Sequence, residues 1–308
     1  SIWLLLAGRI VGGITAATQA TASAYMADIS TPEKKAANFG LIGAAFGMGF
    51  VMGPLIGGLL AEYGTRAPFY AAAGLAALNA LFGWIVLTET VTDRIRRPFS
   101  WARANPLGSL RVLGQLPGLG PLLLVFFLYQ LAFIVYPAVW SYFAVERFGW
   151  SPAMIGLSLA LFGIMLAVVQ GGLMPMVLRL LGERGAVIYG LAFDVLAFGA
   201  LAIVTSGTIA LILIPLTAFA GVVTPALQGI MSKTVNDNQQ GELQGALTSI
   251  GALAMIVSPL VMTSVFAAFS GPSAPIYLPG APFILSAGLV IIAVGVFLRM
   301  GHIGHVQD

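Results

Sequence analysis

Asp194 is a carboxylate set deep inside an apolar run. It stands in GAVIYGLAFDVLAFGALAIVT, residues 185–205, with no other charged residue in that stretch. At bilayer depth a carboxylate costs roughly 2.5–3.5 kcal/mol on insertion scales, and such residues mark proton, ion or substrate pathways. The chemistry within its reach is reversible protonation or contact with a charged cargo. The plainer alternative is an Asp paired silently between helices. Arg9, in LAGRIVGGITAATQATASAYMADIS, is a second charge within an apolar stretch. A guanidinium there needs carboxylate, carbonyl or water partners, or else snorkels to the interface. Four amides, Gln19, Gln130, Gln170 and Gln228, also fall on apolar runs. They either line one substrate cavity or act as interhelical hydrogen-bonding glue.

These residues need long apolar helices to hold them. Hydrophobic residues make up 59% of the 308, and charged residues only 8%. Soluble domains are about 25% charged, so a water-soluble core is excluded. The mean hydropathy is +0.97. A spanning helix takes ~20 apolar residues. Nine stretches qualify: 1–27, 36–61, 67–88, 119–145, 152–179, 185–205, 208–231, 243–269 and 280–299. None shows the period-two alternation of a strand. The expected fold is an all-α integral membrane protein. Ser30-Thr31-Pro32-Glu33 reads as a helix stop followed by a new start, and Ser151-Pro152 as a cap with Pro in the first turn.

The cationic residues orient the spans. With ADISTPEKKAANF on the cytoplasmic side, alternation puts Lys34, Lys35, Arg94, Arg96, Arg97, Arg103, Arg111, Arg179, Arg184, Lys233 and Arg299 inside. Only Arg66 and Arg147 fall outside, as the positive-inside bias requires. The net charge of +3 is spread over short loops and forms no aromatic-flanked patch, which excludes a nucleic-acid surface. There is no cysteine, so neither a disulfide nor a thiolate metal site is possible. His302 and His305 are too few for a metal centre and read as tail. No phosphate-cradling GxxxxGK[ST] or Ser-His-Asp set is present, which argues against an ATP-driven pump or a covalent enzyme.

Residues 89–118 are polar, basic and Pro-broken. They divide a three-helix region, 1–88, from a six-helix region with a short tail, 119–308. Residues 100–113 read either as a short interfacial helix, with Trp101, Leu107, Leu110 and Leu113 on one side, or as a solvated tether. The strings FGLIGAAFGMGFVMGPLIGG and QGALTSIGALAMIVSPLVMT align Gly40 with Gly245 and Pro54 with Pro259. Each follows a helix and a short cytoplasmic loop, so spans one and two repeat as spans seven and eight. Parallel repeats of this kind mark transporters with two six-helix halves.

Gly49, Gly53, Pro54, Gly57 and Gly58 form GxxxGPxxGG on the second span. Glycines four apart allow close helix approach, and the proline removes one backbone hydrogen bond. Gly43 and Gly47 read as an extension of the same stripe. The string matches the antiporter signature of the major facilitator superfamily, and the Arg9 segment resembles that superfamily's fourth-helix motif. The chain further resembles the tetracycline/proton antiporters of Gram-negative bacteria along most of its length. GRIVGGITAAT, AYMADI, MGPLIGGLL, NPLGSLR, MIGLSLALFGI, LGERGAV, TPALQGIMS and QQGELQGALTSI carry the likeness.

The resemblance implies a two-bundle fold of which the chain holds helices four to twelve, the first three of twelve missing. It implies a monomeric, multi-pass protein of the bacterial inner membrane that exports a small amphipathic compound against protons, with the proton gradient and no cofactor as energy source. Asp194 corresponds to a ninth-helix Asp essential for coupled efflux, and Arg9 to an Arg implicated in coupling. Gln130 and Gln170 correspond to seventh- and eighth-helix glutamines, and Gln228 falls in the tenth-helix PALQG. The chain departs from the pattern at Leu166, where the relatives carry a His. It departs again at Ile134, where a Gln is usual, and at Gly185, where a basic residue is common. An exporter of an endogenous metabolite and a truncated, non-transporting membrane protein are the alternatives.

Overall fold

A computed structural model describes residues 2–15, 17–61, 63–64, 66–91, 118–236, 239–271, 274 and 276–300. The interfacial-helix segment at 100–113 and the two histidines lie outside them. The described residues hold helices and no strand. In order they are α1 (Ile2–Ile14), α2 (Thr18–Ile29), α3 (Lys35–Ala61), α4 (Ala67–Val86), α5 (Leu119–Phe133), α6 (Val135–Phe148) and α7 (Pro152–Val168). A π-helical turn (Val169–Leu173) leads into α8 (Met174–Ile203). Then come α9 (Gly207–Thr217), a 3-10 turn (Ala218–Val222), α10 (Val223–Thr234), α11 (Gln240–Ser270) and α12 (Ala281–Arg299).

Among the described residues, seven helical stretches are long and apolar enough to cross a membrane. They depart from the nine expected spans at two places. Residues 2–29 form two helices of 13 and 12 residues, each too short alone. Residues Met154–Ile203 make one apolar helical stretch of 50 residues, in which two helices meet at a kink. Gly182 leaves the helix there, at φ 67 and ψ 174, a conformation that costs a glycine little. Ser151 caps α7 as expected, accepting from the Met154 N–H at 3.3 Å with Pro152 behind it.

The core lies among α5 to α12, where Trp140, Phe143, Phe198, Phe283 and Phe297 are fully enclosed. The α5–α6 break at Ile134 falls in that interior. Pro137 has no N–H for the carbonyl one turn back, and broken backbone inside a bundle must find other partners. Two hydroxyls reach the break from elsewhere. Ser258 of α11 donates to the Leu131 carbonyl at 2.8 Å, and Ser286 of α12 to the Ala132 carbonyl at 3.2 Å. The α4 helix is the opposite case: no residue in it is buried, and Trp84 is 89% exposed.

α3 packs against α7, the π turn and α10. Its contact face is Gly40, Gly43 and Gly47. A Cβ on Gly47 would sit 2.7 Å from the Gly163 carbonyl oxygen, and one on Gly40 would sit 2.9 Å from that of Gln170. Gly49 and Gly53 have open space around them. The glycines therefore form two faces, not the single stripe read from spacing. At 100° per residue, Gly49 lies about 200° around the helix from Gly47.

Candidate functional site

Asp194 sits on α8 with 1% of its surface exposed. Neither carboxylate oxygen has a hydrogen-bond partner among the described residues. Leu191 and Phe198, one turn away on either side, are fully buried, so the helix face that carries the acid is an interior face. Phe198 meets Tyr136 in a tilted pair at 5.4 Å between ring centroids, and Tyr136 also meets Phe162 at 5.6 Å and Phe133 at 5.6 Å. The acid thus stands at the edge of an aromatic cluster drawn from α5 to α8.

Two tyrosines lie within electrostatic reach of it, Tyr129 and Tyr136. They are seven residues apart on consecutive helices and both are buried. Thr224 stands beside Tyr129 and Thr217 beside Tyr136. Thr217 gives its own hydroxyl proton to the Ile214 carbonyl at 2.7 Å, and the Tyr136 hydroxyl is left without a well-formed hydrogen bond. A buried carboxylate beside an unsatisfied phenol is a poised arrangement. The acid must carry a proton, or gain a polar partner when it ionises. Sequence reasoning missed both tyrosines. The signal was available, since a hydroxyl at bilayer depth needs a partner just as a carboxylate does.

Gln19, Gln130 and Gln170 have different neighbours. Gln170, on the π turn, is buried and donates from Nε2 to the Gly221 carbonyl at 2.6 Å. Gln130, half-buried on α5, faces Gly251 of α11, where a Cβ would lie 3.7 Å from its Nε2. Gln228 is half-buried on α10. Gln19 is exposed and lines a groove of about 830 Å³ with Thr18, Ile42, Phe46, Gly49 and Asn79, between α2, α3 and α4. Asn79 is a further polar group that the sequence reading passed over. Arg9 on α1, and Pro54, Gly57 and Gly58 on α3, are helical but fall outside the residues whose surroundings are described. Leu166, one turn before Gln170, packs on Gly221 from the same side.

A second polar cluster lies at the α8–α10 end. Glu183, next to the turn at Gly182, pairs with Lys233 at 3.0 Å. Gly229 of α10 is close-packed on Ala36 of α3; a Cβ there would approach the Ala36 Cβ to 2.6 Å. Gln240 clamps the following loop, donating to the Ser232 carbonyl at 2.8 Å and accepting from the Ser232 hydroxyl at 2.6 Å. On the loop before α3, the carboxyl of Glu33 is held below its usual range. The main cause is its own backbone N–H, with Thr31 and Lys233 adding to it. The cluster joins α3 to α8 and α10 through charges and small residues.

The described residues are helical, include several membrane-length helices and enclose the Asp194 carboxylate without a hydrogen-bond partner, which makes the chain a multi-pass membrane protein. The family described as Major Facilitator Superfamily matches residues 1–259, and the chain belongs to it. It is 43% identical over 267 residues to a class C tetracycline resistance protein of Escherichia coli, covering 87% of this chain and 67% of the relative. It is 39% identical over 272 residues to a class G tetracycline resistance protein of Vibrio anguillarum, covering 88% and 68%. A class E tetracycline resistance protein of Escherichia coli is 35% identical over 310 residues, 99% of this chain and 74% of the relative. Membership places the chain among membrane transporters of small molecules rather than among enzymes.

Proposed function

We propose that this chain belongs to a proton-coupled secondary transporter that exports a small amphipathic, drug-like compound. The observation that carries the reading is Asp194, enclosed at mid-helix with both oxygens unpartnered. In a dry interior a group that binds and releases a proton can couple a gradient to a conformational change. The relatives named as tetracycline resistance proteins support the export of a drug-like cargo. We read Gly182 as a turn between two crossings and residues 2–29 as one interrupted crossing, which gives nine spans in three- and six-helix groups joined by residues 89–118. The protein then resides as a monomer in a bacterial inner membrane, with the proton gradient as its energy source. Proton-gradient-driven accumulation of a small drug panel in inverted vesicles tests the reading. Uptake that ignores collapse of the gradient removes it.

The orientation has a direct check, helped by the absence of native cysteine. Single cysteines at Ser100 and Asn236 are expected to resist impermeant thiol reagents added to intact cells, while one at Tyr63 labels. Labelling of Ser100→Cys from outside reverses the topology.

Leu166 favours a cargo other than tetracycline. Where the relatives implied by the resemblance carry a titratable His, this side chain neither takes a proton nor makes a hydrogen bond. A buried polar site that loses one partner loses about 1–3 kcal/mol, or roughly tenfold to a hundredfold in affinity. Tetracycline resistance in a pump-deficient host is therefore expected to be weak, with a less polar or endogenous compound preferred. Resistance equal to that given by the class C relative refutes this specificity.

A further inference from the structure

Three helices give up regular geometry or side-chain bulk at one place, and Gln170 joins them. The α7–α8 run passes through Gly171-Gly172 and then Pro175. Proline cannot donate to the carbonyl four residues back, and the chain widens there into the π turn, where the Met174 N–H reaches the Val169 carbonyl. The α9–α10 run carries Pro225, whose missing N–H leaves the Gly221 carbonyl without its ordinary helical donor. That same carbonyl receives the Gln170 Nε2 hydrogen bond of 2.6 Å. The other end of the amide, Oε1, lies in the notch that Gly43 leaves on α3, where any Cβ would collide with it. A Cβ on Gly221 would press on the Leu166 side chain and lie 3.2 Å from Gln170 Nε2, so the glycine leaves the amide room.

We infer that Gln170 is a positioning residue, not a cargo ligand: its amide substitutes for the donor that Pro225 lacks and locks the π turn to the 3-10 turn over a seat on α3. One hydrogen bond and one close-packed notch thus fix the amide's orientation from the protein itself. The two turns it joins are both departures from regular α-helix within the bundle. Turns that lack the full i→i−4 ladder are where a helical bundle bends most readily. The lock sets how readily α7–α8 and α9–α10 move against α3. That motion rests on the transporter reading above, but the lock itself does not.

Backbone hydrogen exchange on the purified chain in micelles tests the lock without any transport assay. Gln170→Met keeps the length and removes the donor. It is expected to speed exchange across 166–174 and 218–224 by about tenfold, the ordinary effect of one lost buried hydrogen bond. Pro225→Ala returns a backbone donor to the Gly221 carbonyl, so Gln170→Met in that background should change exchange by less than about threefold. Should Gln170→Met fail to purify, recovery of the double variant supports the lock and continued failure overturns it. Unchanged exchange in Gln170→Met overturns it as well, as does an equal effect in both backgrounds. Where transport is measurable, the lock predicts an altered maximal rate with half-saturation unchanged. A raised half-saturation with normal exchange makes Gln170 a cargo ligand instead. Absence of transport in the unmutated protein refutes the proposed function and leaves the exchange result standing.

Discussion

Asp194→Asn should reduce gradient-driven accumulation to background while leaving the protein inserted and folded. The replacement is nearly isosteric, so the Leu191–Phe198 face of α8 and the Tyr136–Phe198 ring contact have no steric reason to move. What disappears is the exchangeable proton. The native carboxylate has no hydrogen-bond partner among the described residues, so Asn breaks no bond. The amide does bring two N–H donors into the site. Leaving one unpaired costs about 1–3 kcal/mol, and the nearby unsatisfied Tyr136 hydroxyl offers it an acceptor. Uphill uptake in inverted vesicles separates coupling from folding when it is paired with downhill exchange of the same compound. The expected pattern is uphill uptake lost and downhill exchange kept. Unchanged uphill uptake would remove Asp194 from the coupling step. Loss of both activities together with expression would make the acid structural.

The depth of Asp194 was legible because only length and polarity are needed to see it. A charge with apolar neighbours for more than a turn on both sides must lie inside. Helix ends such as Ser151 were legible for a similar reason, since capping chemistry is local. The surroundings of the acid were not. Tyr129 and Tyr136 read as ordinary aromatic residues of an apolar span until the packing of the bundle brings both within reach of Asp194 on α8. Gln170 was singled out as an amide, yet its role depends on a proline in another helix and a glycine in a third, contacts that no local window contains. The breaks themselves sit midway. Pro137, Pro175, Pro215 and Pro225 announce missing donors, but which hydroxyl or amide answers each one is set by the bundle. Gly182 is legible as a turn, and its backbone there is non-helical.

The second large effect falls on α3, and it reverses what the glycine spacing implied. Gly47→Leu should abolish stable expression, while Gly53→Leu should be tolerated. GxxxG spacing says that some glycine face meets a neighbouring helix, without saying which face. In the folded chain the contact belongs to Gly40, Gly43 and Gly47. A Cβ on Gly47 would meet the Gly163 carbonyl oxygen at 2.7 Å and the Ala167 backbone nitrogen at 3.0 Å. Both are main-chain atoms of α7, so no rotamer change relieves the clash and the two helices must separate. Overpacking in a closed interior typically costs about 1–3 kcal/mol, and a rigid backbone neighbour puts this site at the upper end. Three kcal/mol lowers the folded-to-unfolded ratio by roughly a hundredfold, a large part of a marginal protein's stability. At Gly53 nothing lies within 4 Å of the added atom, so the substituent meets no wall among the described residues. Detergent-extracted yield and thermal unfolding of the two purified variants decide between the faces. A folded Gly47→Leu protein beside an unfolded Gly53→Leu protein would place the close helix contact on the motif face after all, and would take the seat of Gln170 on α3 away with it.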